Sequence, residues 1–255
     1  MRDPATETHK LDAKSRVKRT GKPTVAARHR KAAGAVADHD PVGEAAYRRV
    51  RADIVYGRLA PGQKLTLERM RGAYGPAVST LREIFSGLAS EGLVTAEGAR
   101  GFEVAPISPD NLREIAAMRQ LLECHALRSS FEAGDVEWEG RVVAAHHKLG
   151  TLEKRMASGD RSHQEALRSY DWAFHNALIS ACGSRVLLEM HAGLYDKYLR
   201  YLMLADVFRG EPVAEEHRKL LRFALARDWR SAQATTITHI QDCVAQMVSG
   251  DWWVR

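Results

Sequence analysis

The chain has 255 residues, a formal net charge of +6, and 45% hydrophobic against 27% charged residues. That length suits two modest domains or one large one. No apolar run approaches the ~20 residues of a membrane-spanning helix, and the start, MRDPATETHKLDAK, lacks the apolar stretch of a secretory signal. Cys124, Cys182 and Cys243 follow neither a disulfide framework nor a CxxC spacing. A cytoplasmic protein with reduced thiols and no membrane partner is therefore expected.

The charge is uneven. Residues 1–40 carry ten Lys/Arg against five Asp/Glu, residues 44–105 nine against seven, and residues 106–255 nineteen against twenty. Basicity concentrated at the N-terminal end points to a polyanion partner there. Residues 1–40 hold few large apolar side chains, so they cannot offset their ordering entropy by burial, and a disordered basic arm is expected.

Ordered structure is expected from Pro41. EAAYRRVRADIVYGRL places Ala46, Val50, Ile54 and Val55 on one helical face with arginines opposite. Pro61-Gly62 breaks the chain, and Lys64-Leu65 reads as a short extended piece. Thr66 is an expected side-chain cap for a second helix that stops at Gly75. A third helix, STLREIFSGLASEG, turns Leu81, Ile84, Phe85 and Leu88 inward, and LVTAEGARGFEVAPI reads as a hairpin around Gly98–Gly101. Three helices and a hairpin within about 60 residues make a winged helix-turn-helix, whose third helix enters the DNA major groove.

Ser108-Pro109 opens the next helix. From there the periodicity is helical throughout, in segments 108–133, 136–158, 163–181, 184–208, 211–227 and 228–249. The expected fold is mainly α: a winged helix-turn-helix with a small β-hairpin wing over 41–106, and an all-α bundle of six to seven helices over 107–250.

Two sets of residues carry chemistry. Asp171 and His175 stand at i and i+4 on one helix face, while His217 and His239 lie on two further amphipathic helices. One carboxylate and three imidazoles suit a divalent ion such as Zn, Ni or Mn. The adjacent pair His146-His147 cannot both join one inward site, and His125, His163 and His191 show no partnering pattern. In the N-terminal part, Arg82 is the candidate for a bidentate contact to guanine. Ser79 and Thr80 at the same helix start are phosphate candidates, as are Arg48, Arg49, Arg51, Lys64, Arg69, Arg71 and Arg100. Glu83 is expected to orient Arg82 or pair inside the domain.

The stretch GRLAPGQKLTLERMRGAYGPAVSTLREIFSGLASEGLVTAEGARGFEVAPIS resembles the DNA-binding domain of GntR-family bacterial regulators. The shared features are Gly57–Gly62 with Pro61, Leu65, Gly75, Leu81-Arg82-Glu83, Glu91-Gly92-Leu93-Val94 and Gly101. Arg119-x-x-Leu-Glu123, the Asp171/His175 pair, Glu216-His217-Arg218 and His239 resemble the ligand-sensing FCD domain of the FadR branch of that family. One departure stands out: where many members carry Ser-Arg-Thr-Pro, this chain has Ala77-Val78-Ser79-Thr80. The resemblance implies a DNA-binding regulator, a repressor in most such families, responding to a small organic acid held at the metal. Arg119 is a candidate counter-charge for that acid, its alternative being a structural pair with Glu123. A homodimer matches a two-fold operator on double-stranded DNA. The alternative to a regulator is a metal-dependent hydrolase using the Asp/His cluster.

Overall fold

In this computed structural model the described residues are 41–96, 98 and 101–254. The expected basic arm, residues 1–40, and Arg100 on the wing lie outside them. Among the described residues the chain is mainly helical, with one two-stranded antiparallel sheet, as expected.

Helix α1 (Pro41–Val55) buries Ala46, Val50, Ile54 and Val55, the face its apolar spacing marks. Helix α2 (Leu67–Tyr74) ends at Gly75, whose φ of 93° is left-handed and whose amide donates to the Arg71 carbonyl. Thr66 stands at the start of α2, but its hydroxyl caps no amide, contrary to expectation. Helix α3 (Val78–Ser90) buries Leu81, Ile84, Phe85 and Leu88. Strands β1 (Val94–Ala96) and β2 (Phe102–Val104) pair antiparallel, with Val94 opposite Val104. The extended piece at Lys64 bridges Glu103, so β2 is flanked on both sides. Phe102 packs on Phe85 with ring centroids 5.2 Å apart, which pins the wing to α3.

The remaining helices are α4 (Pro109–Ala133), α5 (Val136–Ala157), α6 (Gln164–Ile179), α7 (Arg185–Ala205), α8 (Glu211–Leu225) and α9 (Trp229–Val248). Short 3-10 turns at Arg161–His163 and Asp251–Val254 complete the bundle. The polar separators legible in the sequence act as caps. Ser108, Asp135, Ser184 and Asp228 accept from the amides of Asn111, Trp138, Leu187 and Ser231 respectively.

Two apolar clusters hold these parts. One runs without a break from α1 and α3 of the winged helix into Leu112 of α4, Tyr195, Tyr198 and Leu202 of α7, and Ile240 and Met247 of α9. The other fills the far end of the bundle around Trp138, Phe131, Phe174 and Leu220. Packing at the first cluster ties α1 and α3 to α7.

A candidate metal centre and a DNA-reading face

Each of the six bundle helices contributes a polar side chain to one buried centre. Asp171 and His175 come from α6, His217 from α8 and His239 from α9, and one ligand-type atom from each lies within 4.8 Å of all the others. The structure thus brings together the four residues singled out in the sequence. All four are buried.

The imidazoles are oriented by a second set of carboxylates. His217 Nδ1–H donates to Glu153 of α5 at 2.6 Å, and His239 Nδ1–H to Glu216 of α8 at 2.8 Å. His175 Nδ1–H donates to Glu123 of α4 at 3.2 Å. Each bond fixes a tautomer and leaves Nε2 as the nitrogen able to bind a ligand. The Nε2 atom of His175 is buried with no hydrogen-bond partner, and that of His217 faces the Asp171 carboxylate. Buried polar atoms without partners are costly, and a cation held between them removes that cost. Asp171 accepts from the Tyr195 hydroxyl at 2.5 Å, and its other oxygen stands 3.3 Å from His217 Nε2. The residues present therefore fit a divalent ion.

The electrostatics agree. Burial works against charge at Asp171, yet the neighbouring imidazoles, His217 foremost, hold its carboxyl well below the usual carboxylate range. Burial likewise opposes a proton on His217, but Asp171 and Glu153 outweigh it and lift the imidazole to about 9. Burial lowers His175, and takes His239 down to about 4. Of the three imidazoles His217 is thus the one that holds a proton most firmly, between Asp171 and Glu153.

Arg119 adjoins this centre. Its Nε donates to Glu123 at 2.6 Å, the pairing set out as the alternative to effector binding, and both side chains are buried. The guanidinium is flanked by the rings of Tyr195 and Tyr198, at 4.9 and 4.7 Å from their centroids. Its Nη2 is buried and unpartnered, so one donor edge is uncommitted.

Glu123, expected only as the alternative partner of Arg119, is the hub of this network. Besides Arg119 and His175 it accepts from His191 Nε2 at 2.7 Å. His191, which showed no partnering pattern, is fully buried and stacks on Trp172. Helix α7 thus faces the centre through His191 and Tyr195. Its next residues face the winged helix: Asp196 meets Arg51 of α1 at 2.5 Å, and Arg200 donates to the Ala105 carbonyl.

On the winged helix, Arg82 and Ser79 are exposed on the outward face of α3, with Thr80 half-buried beside them. Lys64 and Arg82 line one groove with Gly98 and Gly101 of the wing. Arg48 pairs with exposed Glu44 at 3.6 Å, while Arg69 and Arg71 are exposed. Two of the expected phosphate contacts also have partners within the protein. Arg51 is held by Glu91 and Asp196, and Arg49 lies over the Tyr74 ring, 5.3 Å from its centroid, on the α2 side. Glu83 is exposed and makes no hydrogen bond or ion pair among the described residues, so neither role expected of it is seen.

Residues 43–104 match the family described as bacterial regulatory proteins, gntR family, and residues 114–242 match the FCD domain. The uncharacterized HTH-type transcriptional regulator BphR of Paraburkholderia xenovorans is 39% identical over 207 residues, 79% of this chain and 83% of that protein. This chain belongs to the GntR family. The HTH-type transcriptional repressor GlaR of Escherichia coli is 32% identical over 76% of the chain and 90% of its own length. A solved GntR transcriptional regulator from Rhodococcus sp. RHA1 shares the fold, with a TM-score of 0.67 at 22% identity over 82% of this chain and 98% of its own. The protein is thus a GntR/FCD transcriptional regulator. GntR regulators bind DNA operators and usually act as dimers, and FCD domains are often metal-associated. Among the described residues no helix is long and apolar enough to cross a membrane.

Proposed function

We propose that this GntR regulator is a homodimeric repressor whose operator binding responds to a small carboxylate metabolite at a divalent ion, Zn, Ni or Mn. Asp171, His175, His217 and His239 hold the ion, which supplies a Lewis-acidic partner for the metabolite's carboxylate. The observation that carries this reading is the set of three histidines, each fixed at Nδ1 by a carboxylate from a separate helix. Such outer carboxylates orient metal-binding imidazoles. Arg119 offers its free Nη2 as a counter-charge to the metabolite.

On the DNA side, Arg82 reads a base edge while Ser79, Thr80, Lys64, Arg48, Arg71 and Arg100 meet phosphates. The exposure of Arg82 and Ser79 on α3, and the groove Arg82 shares with Lys64, support this assignment. A hydrolase has less in its favour. Glu123, Glu153 and Glu216 each hold a histidine and are not free to serve as a general base.

Thermal-shift screening against a panel of organic acids, with and without a chelator, tests the reading. A stabilising acid whose effect disappears with chelator, and in His239→Ala, is expected. Shifts indifferent to both would oppose it.

A further inference from the structure

The four candidate ligands of the centre are buried, so an ion needs a way in. A cleft of about 500 Å³ opens between α5 and α8, and Glu153 is among the residues that line it. Glu153 Oε1 accepts from His217 Nδ1, while a Cβ placed on Gly150 would lie 4.0 Å from Glu153 Oε2. One carboxylate thus meets the centre with one oxygen and the cleft with the other. His146, Gly150 and Glu153 stand at i, i+4 and i+7, on one face of α5. His146 also lines the cleft, and its Nε2 is buried with no hydrogen-bond partner among the described residues. Its ring meets Phe174 edge-on at 5.3 Å, and Phe174 meets His217 edge-on at 5.6 Å, so one phenyl ring is a wall to both imidazoles.

Glycine is a poor helix former, yet Gly150 stands inside α5 where alanine would fit without a clash. Packing does not call for glycine there; what it does is leave the cleft open above Glu153. Of the two cations in the cleft, Arg218 is paired with Glu211 and Glu215, and Lys154 is exposed. Imidazole and carboxylate are the donors a divalent ion of this class accepts in place of water. The groove between α4 and α9 offers neither, being lined largely by Ala116, Ala117, Ile240, Val244 and Val248. On the α7 side the Arg119 guanidinium, flanked by Tyr195 and Tyr198, repels a cation. We propose that the α5/α8 cleft is the port by which the divalent ion reaches and leaves the centre. His146 Nε2 and Glu153 Oε2 are its first holding points. The His217 ring is the gate, with Nδ1 toward Glu153 and Nε2 toward Asp171. The inference rests on the metal reading proposed above.

The test measures zinc uptake by the chelator-stripped full chain, and zinc release from the loaded chain to excess EDTA, both by stopped flow with a chromogenic indicator. A port changes the barrier between two end states and not the states themselves. Gly150→Leu, which fills the cleft, should therefore slow uptake and release by the same factor, about tenfold or more, and leave zinc affinity and stoichiometry as in the wild type. His146→Leu, which keeps bulk but removes the nitrogen, should slow both rates too. Gly140→Leu is the control: it makes the same change on the same helix, at an exposed site with nothing within 4 Å. Rates unchanged in either cleft variant, or slowed equally in the control, overturn the proposal. So does a fall in affinity in place of a matched slowing, since the cleft would then support the bound ion and not its passage. A wild type that takes up no zinc removes the metal reading itself. A wild type that loads normally, with rates that ignore the cleft variants, removes only the port.

Discussion

Arg51 on α1 and Asp196 on α7 meet at 2.5 Å, joining the winged helix to the helix that closes the buried centre. One residue before Asp196, Tyr195 donates to Asp171 at 2.5 Å. A ligand that alters the surroundings of Asp171 therefore acts on α7, and α7 holds α1. Allostery requires an element that both sites bias, and α7 is in contact with both through Tyr195 and Asp196.

Asp196→Asn is expected to keep metal content and fold while shrinking the change in operator affinity produced by the stabilising acid. The stability loss should stay below about 1 kcal/mol, because the pair is partly solvated and Arg51 retains Glu91. Gel-shift titrations with and without the acid read the coupling directly. A full response in this variant would place the signal path elsewhere.

Metal affinity should rise with pH. The His217 imidazole is lifted to about 9, above its ordinary 6.5, so the metal-free protein holds this proton below 9 and loses it as pH rises through 9. The stabilisation that the proton gives the metal-free fold is complete below 6.5 and gone above 9. A cation must expel that proton, so affinity should climb up to tenfold per pH unit between about 6.5 and 9 and then level off. Calorimetry in buffers of different ionisation enthalpy should register about one proton released per ion at pH 7.5. An affinity flat over this range would remove His217 from the ligand set.

Arg82→Ala should abolish sequence-specific binding while leaving the fold intact, because the side chain is exposed and packs in no core. A bidentate guanine contact is worth ~1–3 kcal/mol, lost twice in a dimer. Unchanged operator affinity in a gel-shift titration would show that another element reads the bases.

How much of this was legible in the sequence depends on distance along the chain. Asp171 and His175 share a helix turn, and the caps Ser108, Asp135, Ser184 and Asp228 sit beside the amides they satisfy, so local spacing displays them. The carboxylates that orient the histidines do not announce themselves. Glu153 reaches His217 from 64 residues away, and Glu123 reaches His175 and His191 from 52 and 68. Glu216 is next to His217 yet serves His239. Only the packing of α4, α5 and α7 around the centre brings such pairs together. The same holds for Arg51: its exposed-looking helical position gave no sign of Asp196, 145 residues further on.

Deleting residues 1–40 should weaken DNA binding mainly at low salt and leave sequence preference unchanged. Their ten Lys/Arg act through phosphates, so the slope of log K against log salt should become shallower. An identical slope in the truncated protein would mean that the arm makes no contact with DNA.

Elemental analysis of gently purified protein, set beside His217→Ala, tests the metal-centred account most directly. About one divalent ion per chain is expected in the wild type, and most of it should be lost in the variant, which removes one of four ligands. A wild-type protein that carries no ion and takes up none of Zn, Ni or Mn on titration would contradict it.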